Sequence, residues 1–491
     1  MCGITGFISF EEKKKNLREI AIQMSKKLLH RGPDDEDVWV DLELGVALAH
    51  RRLSIVDLSK AGRQPMISEC GRFCIVFNGE VYNHLSIRDE LPSPVNWRGH
   101  SDTETIVNSI AQLGLEKTLR KMVGMFAFAV WDKYLKKLTL ACDRMGEKPI
   151  YYGFKGKNLI FGSELKAINA FPNLKSKISM ETLAMYINLG YIPAPHSIYE
   201  GIYKMMPGNF IEFSLDNIES KKIPESKAYW SLESIIKNRG LYEYRGSEKD
   251  AIENLDFLLK NSISGQLLGD VPIGCFLSGG IDSATVVSLL QNQTSNIVNT
   301  FTIGFDEAGF DESKKAKSIA SFLGTNHNEF FVSPKDALAT IPKLSSLYDE
   351  PFADVSQIPT YILSEFSSSK VKVCLSGDGG DELFCGYNRH IVGPRIWGFL
   401  KYLPFSIRLI ISNFIKSIPP SSWDKFFNYF ETYLPKYLKV NSPGLKLQKI
   451  SDLINVRSLY EVYLSLLSSW ENPNSVVKNT SFFIDSSKFE F

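Results

Sequence analysis

Two stretches of this 491-residue chain carry residue types at spacings that do chemistry. One is VPIGCFLSGGIDS, Val271 to Ser283, an apolar run that breaks at Ser278-Gly279-Gly280 and restarts as a helical pattern from Ser283 to Gln291. Glycines permit backbone angles closed to other residues, so successive amide N–H groups are expected to turn inward as an anion cradle at a helix N-terminus. Ser278 and Ser283 add hydroxyl donors, and Asp282 stands where a carboxylate could hold a magnesium ion beside phosphates. No Gly-Lys-Ser or Gly-Lys-Thr closes the loop, and G-x-G-x-x-G is absent, so neither common nucleotide fingerprint applies. The other stretch is the chain start. Cys2 follows Met1, and removal of the methionine leaves a free α-amine beside a thiol. With reference pKa values of about 7.7–8.0 and about 8.5, that pair trades a proton near neutrality and yields a thiolate without any histidine.

A second acidic, glycine-rich turn follows the apolar run Lys372 to Leu375: SGDGGDELFCGY, Ser376 to Tyr387. Asp378, Asp381 and Glu382 crowd into it, and crowded carboxylates call for a cation or a proton. Near the chain start, Cys2-Gly3-Ile4 is followed by RGPDDE (Arg31 to Glu36), AHRRLSIVD (Ala49 to Asp57), FNGEVYN (Phe77 to Asn83) and SDTET (Ser101 to Thr105). DRMGEKPIYYG (Asp143 to Gly153) and GSELKA (Gly162 to Ala167) come later.

The elements that must position these residues divide the chain. Up to about Leu215, short β-like runs dominate: Cys2 to Phe10, Gly45 to His50, Arg72 to Asn78, Met125 to Trp131, Leu138 to Asp143 and Leu159 to Ser163. Two helical patterns interrupt them, one through Leu17, Ile20, Ala21, Met24 and Leu28, the other through Ile106, Val107, Ile110 and Leu113. This predicts antiparallel sheets covered by helices over 1–215. A polar linker is expected over 216–249. From 250 to 491, strand and helix patterns alternate at Val271 to Leu277, Ser283 to Gln291, Val298 to Phe305, Glu312 to Leu323 and Glu329 to Val332. That predicts an α/β domain with a parallel sheet, whose ligands sit at the carboxyl ends of the strands. An aromatic, amphipathic helical part follows from about His390.

Composition narrows the class. At 44% hydrophobic and 23% charged, a chain of this length builds more than one core. Lysine and arginine total 56 against 55 acids, a balance that argues against nucleic acid as partner. Seven scattered cysteines without a C-x-x-C pair suit reduced thiols and a cytoplasmic location, and no apolar run has membrane-spanning length.

Taken together and in this order, the motifs resemble the glutamine-hydrolysing asparagine synthetase family: an N-terminal-nucleophile glutaminase domain followed by an ATP pyrophosphatase-type synthetase domain. The resemblance implies an α+β first domain of stacked antiparallel sheets. It implies Cys2 as nucleophile, with the Asn78 side chain and the Gly79 N–H as oxyanion donors. It implies Arg52, Asn78, Glu80 and Asp102 around bound glutamine. In the second domain it implies ATP at Leu277, Ser278, Gly279, Gly280, Asp282, Ser283, Ile303, Ser376 and Gly377. Asp282 and Asp381 would hold Mg2+, and Asp378 would act as base toward incoming ammonia. Expected substrates are glutamine, ATP and a carboxylate acceptor, aspartate first, with no nucleic acid or membrane partner and with a homodimer left open. Departures are Cys385 where a glycine is usual, and the absence of the family's C-terminal segment that supplies a lysine and an arginine near the phosphates. Two alternatives stay open: amidation of a sugar acid in surface-polysaccharide assembly, and a glutaminase-only or regulatory remnant.

Overall fold

The computed structural model describes residues 1–12, 14–305, 311–429, 443–470, 472–478 and 480. The chain forms two compact units, one of Met1–Thr182 with Ile192–Gly377, the other of Leu183–Tyr191 with Asp378–Phe491.

Two six-stranded antiparallel sheets come first in the larger unit. One runs, in spatial order, Ile202–Lys204, Tyr151–Lys155, Asn158–Gly162, Gly3–Ser9, Val46–Arg52, Asp35–Asp41. The other runs Lys227–Ala228, Asn209–Ser214, Lys137–Cys142, Gly124–Asp132, Phe73–Val81, Met66–Ile67. Successive side chains on a strand point to opposite faces, which gives each sheet two surfaces to cover. Ile4 and Ile8 of the first sheet share one core with Cys74, Val76, Ala127 and Ala129 of the second. Ile75, Phe77, Phe126 and Phe128 face the other way and pack with Ile106, Val107 and Ile110 of the helix Asp102–Leu113. On the outer side of the first sheet, the helix Leu17–Lys26 buries Leu17, Ile20, Ala21 and Met24. The result is helix, sheet, sheet, helix, the expected stacked α+β arrangement. Coverage on both faces explains why the central strands read as continuous apolar runs rather than alternating ones.

The second sheet ends inside the stretch expected to be a linker. Lys227–Ala228 pairs with Asn209–Ser214, and Ile218 and Tyr229 are buried in the two cores. The Tyr229 hydroxyl donates to the Cys142 carbonyl at 2.9 Å.

A third, four-stranded sheet is parallel throughout, in the order Asn326–Val332, Asn299–Phe305, Ile273–Phe276, Val373–Leu375. Parallel neighbours need crossover connections, and helices Ile281–Gln293, Ser313–Leu323 and Gln357–Ser368 lie between its strands in sequence. Its core joins Cys275, Leu277, Val287, Leu290, Ala316 and Ala320. This is the expected α/β part.

The smaller unit is helical, as expected for the C-terminal part. Its helices are Asn388–Leu400, Phe405–Ser417, Pro420–Tyr429, Pro443–Ile454 and Leu459–Leu467; Leu400, Leu453 and Val462 from them form a core with Val456 of the last connection. Buried Arg408 donates to the carbonyls of Leu403, Ile454 and Val456, which lie at or just beyond helix C-termini, where carbonyls lack intrahelical partners. Among the described residues no helix is long and apolar enough to cross a membrane.

Candidate active site

At one edge of the stacked sheets lies a pocket lined by Cys2, Arg52, Asn78, Gly79, Glu80 and Asp102 together with Met1, Gln64, Thr103 and Lys148. Every residue assigned to glutamine chemistry from the sequence therefore lines one cavity. Cys2 immediately precedes the central strand Gly3–Ser9, and the Leu53 N–H donates to its Sγ at 3.4 Å. Asn78 is fully buried, yet neither its Nδ2 nor its Oδ1 has a hydrogen-bond partner. A buried amide left unsatisfied costs about 1–3 kcal/mol, so this geometry suits a donor held ready for a ligand. Gly79 is required by space: a Cβ there would stand 2.1 Å from the Met125 carbonyl oxygen of the neighbouring strand.

Charge in the pocket is arranged against water. Arg52 donates to the carbonyls of Ser59, at 3.0 Å, and Asp57, and among the described residues no carboxylate pairs with it. Its fork is thus fixed in direction while its charge stays open to a carboxylate. Gly62 makes room for it, since a Cβ there would fall 2.1 Å from Arg52 Nη2. Burial, reinforced by Asp102, lifts Glu80 to about 7. Burial likewise lifts Asp102 to about 6 against the pull of hydrogen bonds from the Val81 and Thr103 amides at 3.0 and 2.7 Å. Two carboxylates that burial makes reluctant to ionise are a receptor for a cation. Burial pushes the Cys2 thiol up and pulls the Met1 α-amine down to about 6. The amine is therefore largely neutral at pH 7 and able to take a proton.

The glycine turn sits at the carboxyl end of Ile273–Phe276, and Gly280 caps the helix Ile281–Gln293. Neither Gly279 nor Gly280 has a positive φ, contrary to the expectation from their glycine content. Gly279 answers to space instead, because a Cβ there would meet Lys315 Cβ at 3.0 Å. The turn is cross-braced: Ser283 Oγ accepts from the Ser278 N–H at 3.1 Å and lies 2.9 Å from Ser278 Oγ. The Gly280 N–H donates to Ser278 Oγ at 3.1 Å and the Gly279 N–H to Glu312 Oε2 at 3.2 Å. A carboxylate oxygen thus already occupies one amide of the expected anion cradle. Leu277 is buried, and its carbonyl accepts from the Thr302 hydroxyl one residue before Ile303. The adjacent strand Val373–Leu375 delivers Ser376 and Gly377 to the same turn; a Cβ on Gly377 would stand 2.8 Å from the Ser283 nitrogen. The nucleotide residues predicted on two separated motifs therefore converge, as adjacent parallel strand ends require.

Asp378 and Asp381 belong to the smaller unit. Asp381 lies in the short helix Gly380–Phe384, and its carbonyl accepts from the Gly386 N–H at 3.0 Å. Glu382 accepts from the Tyr387 hydroxyl, which holds its carboxyl below the usual range. Cys385 adopts φ 59°, a left-handed conformation that favours glycine, which the family resemblance leads one to expect there. Among the described residues no three His, Cys, Asp or Glu side chains cluster as a metal-binding set. A magnesium ion that enters with phosphates needs only one or two protein carboxylates, so Asp282 in the first turn of its helix fits that donor set.

Sequence reasoning quoted three further residues only inside motifs or not at all. Lys148 lines the pocket, buried, with its pKa lowered by that burial. Gln64 accepts from the Phe77 N–H at 2.6 Å and donates to Thr103 Oγ1 at 3.0 Å, bracing the strand before Asn78. Arg31 Nε donates to the Cys2 carbonyl at 2.9 Å. The RGPDDE and GEKP strings were the available signals for Arg31 and Lys148; Gln64 had none.

Comparison with known proteins adds the following. A family model described as a glutamine amidotransferase domain matches residues 1–230, and one described as asparagine synthase matches residues 254–482. A Methanocaldococcus jannaschii protein, provisionally described as glutamine-hydrolyzing asparagine synthetase 2, is 37% identical over 84% of this chain and 80% of its own length. Glutamine-hydrolyzing asparagine synthetases 1 and 3 of Bacillus subtilis are each 32% identical over 79% of this chain. The matched region spans 59% and 63% of those two proteins.

Proposed function

The chain belongs to the glutamine-hydrolysing asparagine synthetase family, and from that premise we propose that it amidates aspartate with nitrogen taken from glutamine at the expense of ATP. The observation that carries the reading is the pocket that gathers Cys2, unpartnered Asn78, the open Arg52 charge and the reluctant Glu80–Asp102 pair.

Each group has work to do there. Arg52 takes the glutamine α-carboxylate, and Glu80 and Asp102 take its α-ammonium, which draws both acids into their ionised form. The Cys2 thiol gives its proton to the α-amine and attacks the side-chain amide carbon. Removal of Met1 places that amine on Cys2 itself. Asn78 Nδ2 and the Gly79 N–H receive the negative charge that forms on the carbonyl oxygen. Collapse expels ammonia with the proton from the amine and leaves a thioester, which water hydrolyses to glutamate.

The second half of the reaction belongs to the turn Ser278–Ser283 with Ser376 and Gly377. There the acceptor carboxylate attacks the ATP α-phosphorus, pyrophosphate leaves, and the resulting acyl-adenylate is a better electrophile than a free carboxylate. Ammonia then displaces AMP, with Asp378 as the base that takes its proton. Asp282, in the first turn of its helix, would hold a magnesium ion, which would supply charge neutralisation for the phosphates. Ser278 and Ser283 orient the turn, and the glycines admit the nucleotide closely. Glu312 must release the Gly279 N–H for an anion to enter.

The test is pyrophosphate release from ATP and magnesium with ammonia as nitrogen source, with and without aspartate. Aspartate-dependent release is expected in the unaltered chain and in Cys2→Ala, whereas glutamine supports release only with Cys2 intact. Release that ignores aspartate, or loss of the ammonia reaction in Cys2→Ala, would sink the proposal.

A further inference from the structure

The loop after the strand Val46–Arg52 folds back onto the guanidinium of that strand's last residue. Arg52 Nη1 donates to the Ser59 carbonyl at 3.0 Å and Nη2 to the Asp57 carbonyl. Both acceptors are neutral, so they fix the direction of the fork without cancelling its charge. A third group, the Asp57 carboxylate, holds those carbonyls in place. Its Oδ1 accepts from the Ser59 N–H at 3.1 Å and from the Ser59 hydroxyl at 2.6 Å. Its Oδ2 accepts from the His100 N–H at 3.0 Å, which ties the loop to the segment just before the helix Asp102–Leu113. The Asp57 N–H is anchored in turn, donating to Asp270 Oδ2 at 2.8 Å.

Asp57 is built in with unusual care for a loop residue. It is 1% exposed, and a carboxylate so placed keeps its charge only through hydrogen bonds. Burial alone would raise its pKa, but the bonds from Ser59 and His100 hold it below the usual carboxylate range, so it stays ionised. Its φ of 56° is left-handed, a conformation that a short polar side chain tolerates by bonding to its own loop. Gly99 leaves room for it, since a Cβ there would fall 2.1 Å from Asp57 Oδ2. Among the described residues its ion-pair partner is His100, with Nδ1 at 3.9 Å, and not Arg52. The distinction matters chemically, because a direct pair with Arg52 would neutralise the charge that a substrate carboxylate needs. Asp57 instead turns its carbonyl to Arg52 and directs its own charge to the loop.

We propose that Asp57 is a positioning residue for glutamine recognition: its carboxylate holds the Asp57 and Ser59 carbonyls that aim Arg52 at the substrate α-carboxylate. The role rests on the binding of glutamine by Arg52 proposed above. Asp57 touches neither substrate nor reacting atoms, and its effect passes through Arg52. It therefore bears on how tightly glutamine is held and not on the thiol chemistry that follows.

A double-mutant cycle on glutamine hydrolysis by the full chain tests this. Asp57→Asn keeps the side chain's shape but offers one acceptor oxygen where Ser59 and His100 need two. The glutamine KM is expected to rise about tenfold while kcat changes less than about twofold. In an Arg52→Ala chain, which has no guanidinium to aim, the same substitution should change kcat/KM by less than about twofold. Equal losses in the two backgrounds overturn the proposal, and so does an unchanged KM in the chain that keeps Arg52. Should Asp57→Asn fail to fold, Ser59→Ala takes its place. Ser59 is exposed, and the change deletes the 2.6 Å bond to Asp57 along with the one that the Ala61 N–H makes to the hydroxyl. A KM rise of about threefold that vanishes in the Arg52→Ala background supports the role; an unchanged KM, or the same rise in both backgrounds, overturns it. Arg52→Ala alone tells the two proposals apart. If it leaves kcat/KM unaltered, Arg52 does not take the glutamine carboxylate and the role of Asp57 falls with that binding scheme. If it lowers kcat/KM while Asp57→Asn does not, the positioning role alone falls.

Discussion

Asn78→Ala separates stability from catalysis at a single side chain. In the folded chain the Asn78 amide is fully buried with both polar atoms unpaired, each a desolvated group that folding does not repay. Leaving such a group unsatisfied costs about 1–3 kcal/mol, so deleting the amide relieves that penalty. Part of the gain is lost to the space left behind. The expected net change in stability is therefore near zero or favourable, and each kcal/mol gained moves Tm up by about 2–4 °C in a domain of roughly 200 residues. Catalysis should respond in the opposite sense. Loss of one oxyanion donor costs about 2.7–4 kcal/mol in the transition state, or about 100- to 1,000-fold in kcat for glutamine hydrolysis. The glutamine KM should change little, because Arg52, Glu80 and Asp102 are untouched, and ammonia-driven pyrophosphate release should be unaffected. Glutamate formation and calorimetry on the same preparation check both arms. A variant that melts several degrees lower while its kcat holds would refute the reasoning, because Asn78 would then be a structural amide and not an oxyanion donor.

Four other outcomes follow from the geometry of the two sites. Because burial lifts Glu80 to about 7 and Asp102 to about 6, both acids lose charge as pH falls from 8 to 6. The glutamine KM should accordingly rise over that fall, and Glu80→Gln should flatten the dependence when initial rates are fitted at each pH. The same shift has a stability sign. A carboxyl whose folded pKa lies above its unfolded value of about 4.3 favours folding at low pH and loses that contribution as pH rises through 7, so Glu80→Gln should raise Tm more at pH 8 than at pH 5. Arg52→Lys removes a fork that donates to Ser59 and Asp57 while facing the pocket, so the glutamine KM should rise at least about tenfold, near 1.4 kcal/mol, with the ammonia reaction intact. Gly377→Ala drives a methyl to within 2.8 Å of the Ser283 nitrogen, and a strain of about 1–3 kcal/mol at that turn should raise the ATP KM about tenfold while glutamine hydrolysis continues.

What the sequence made legible, and what it hid, follows from how each feature is encoded. The strands Gly3–Ser9 and Gly124–Asp132 are buried on both faces, so their apolar character is continuous and was read within a residue or two. Asp35–Asp41, sequence DEDVWVD, is an edge strand with charges pointing outward, and it gave no strand signal. Ile202–Lys204 and Lys227–Ala228 are too short for any period to register. That Cys2, Arg52, Asn78, Glu80 and Asp102 gather in one pocket was legible because they sit in short motifs, whereas Gln64 was not, since bracing a strand demands no neighbouring pattern. Least legible were the links that chain separation conceals. Lys372 meets Asp34 at 2.8 Å, and Asp270 accepts from the Asp57 N–H at 2.8 Å and pairs with His100. Asp57 in turn presents its carbonyl to Arg52, so the Arg52 guanidinium lies two hydrogen bonds from Asp270, three residues before the strand Ile273–Phe276 and the glycine turn that follows it. Motifs state which chemistry a chain is equipped for; only the fold states that its two reactions share a frame. That frame, more than either site alone, is what a chain needs if ammonia made at one place is to be used at the other before it is protonated and lost.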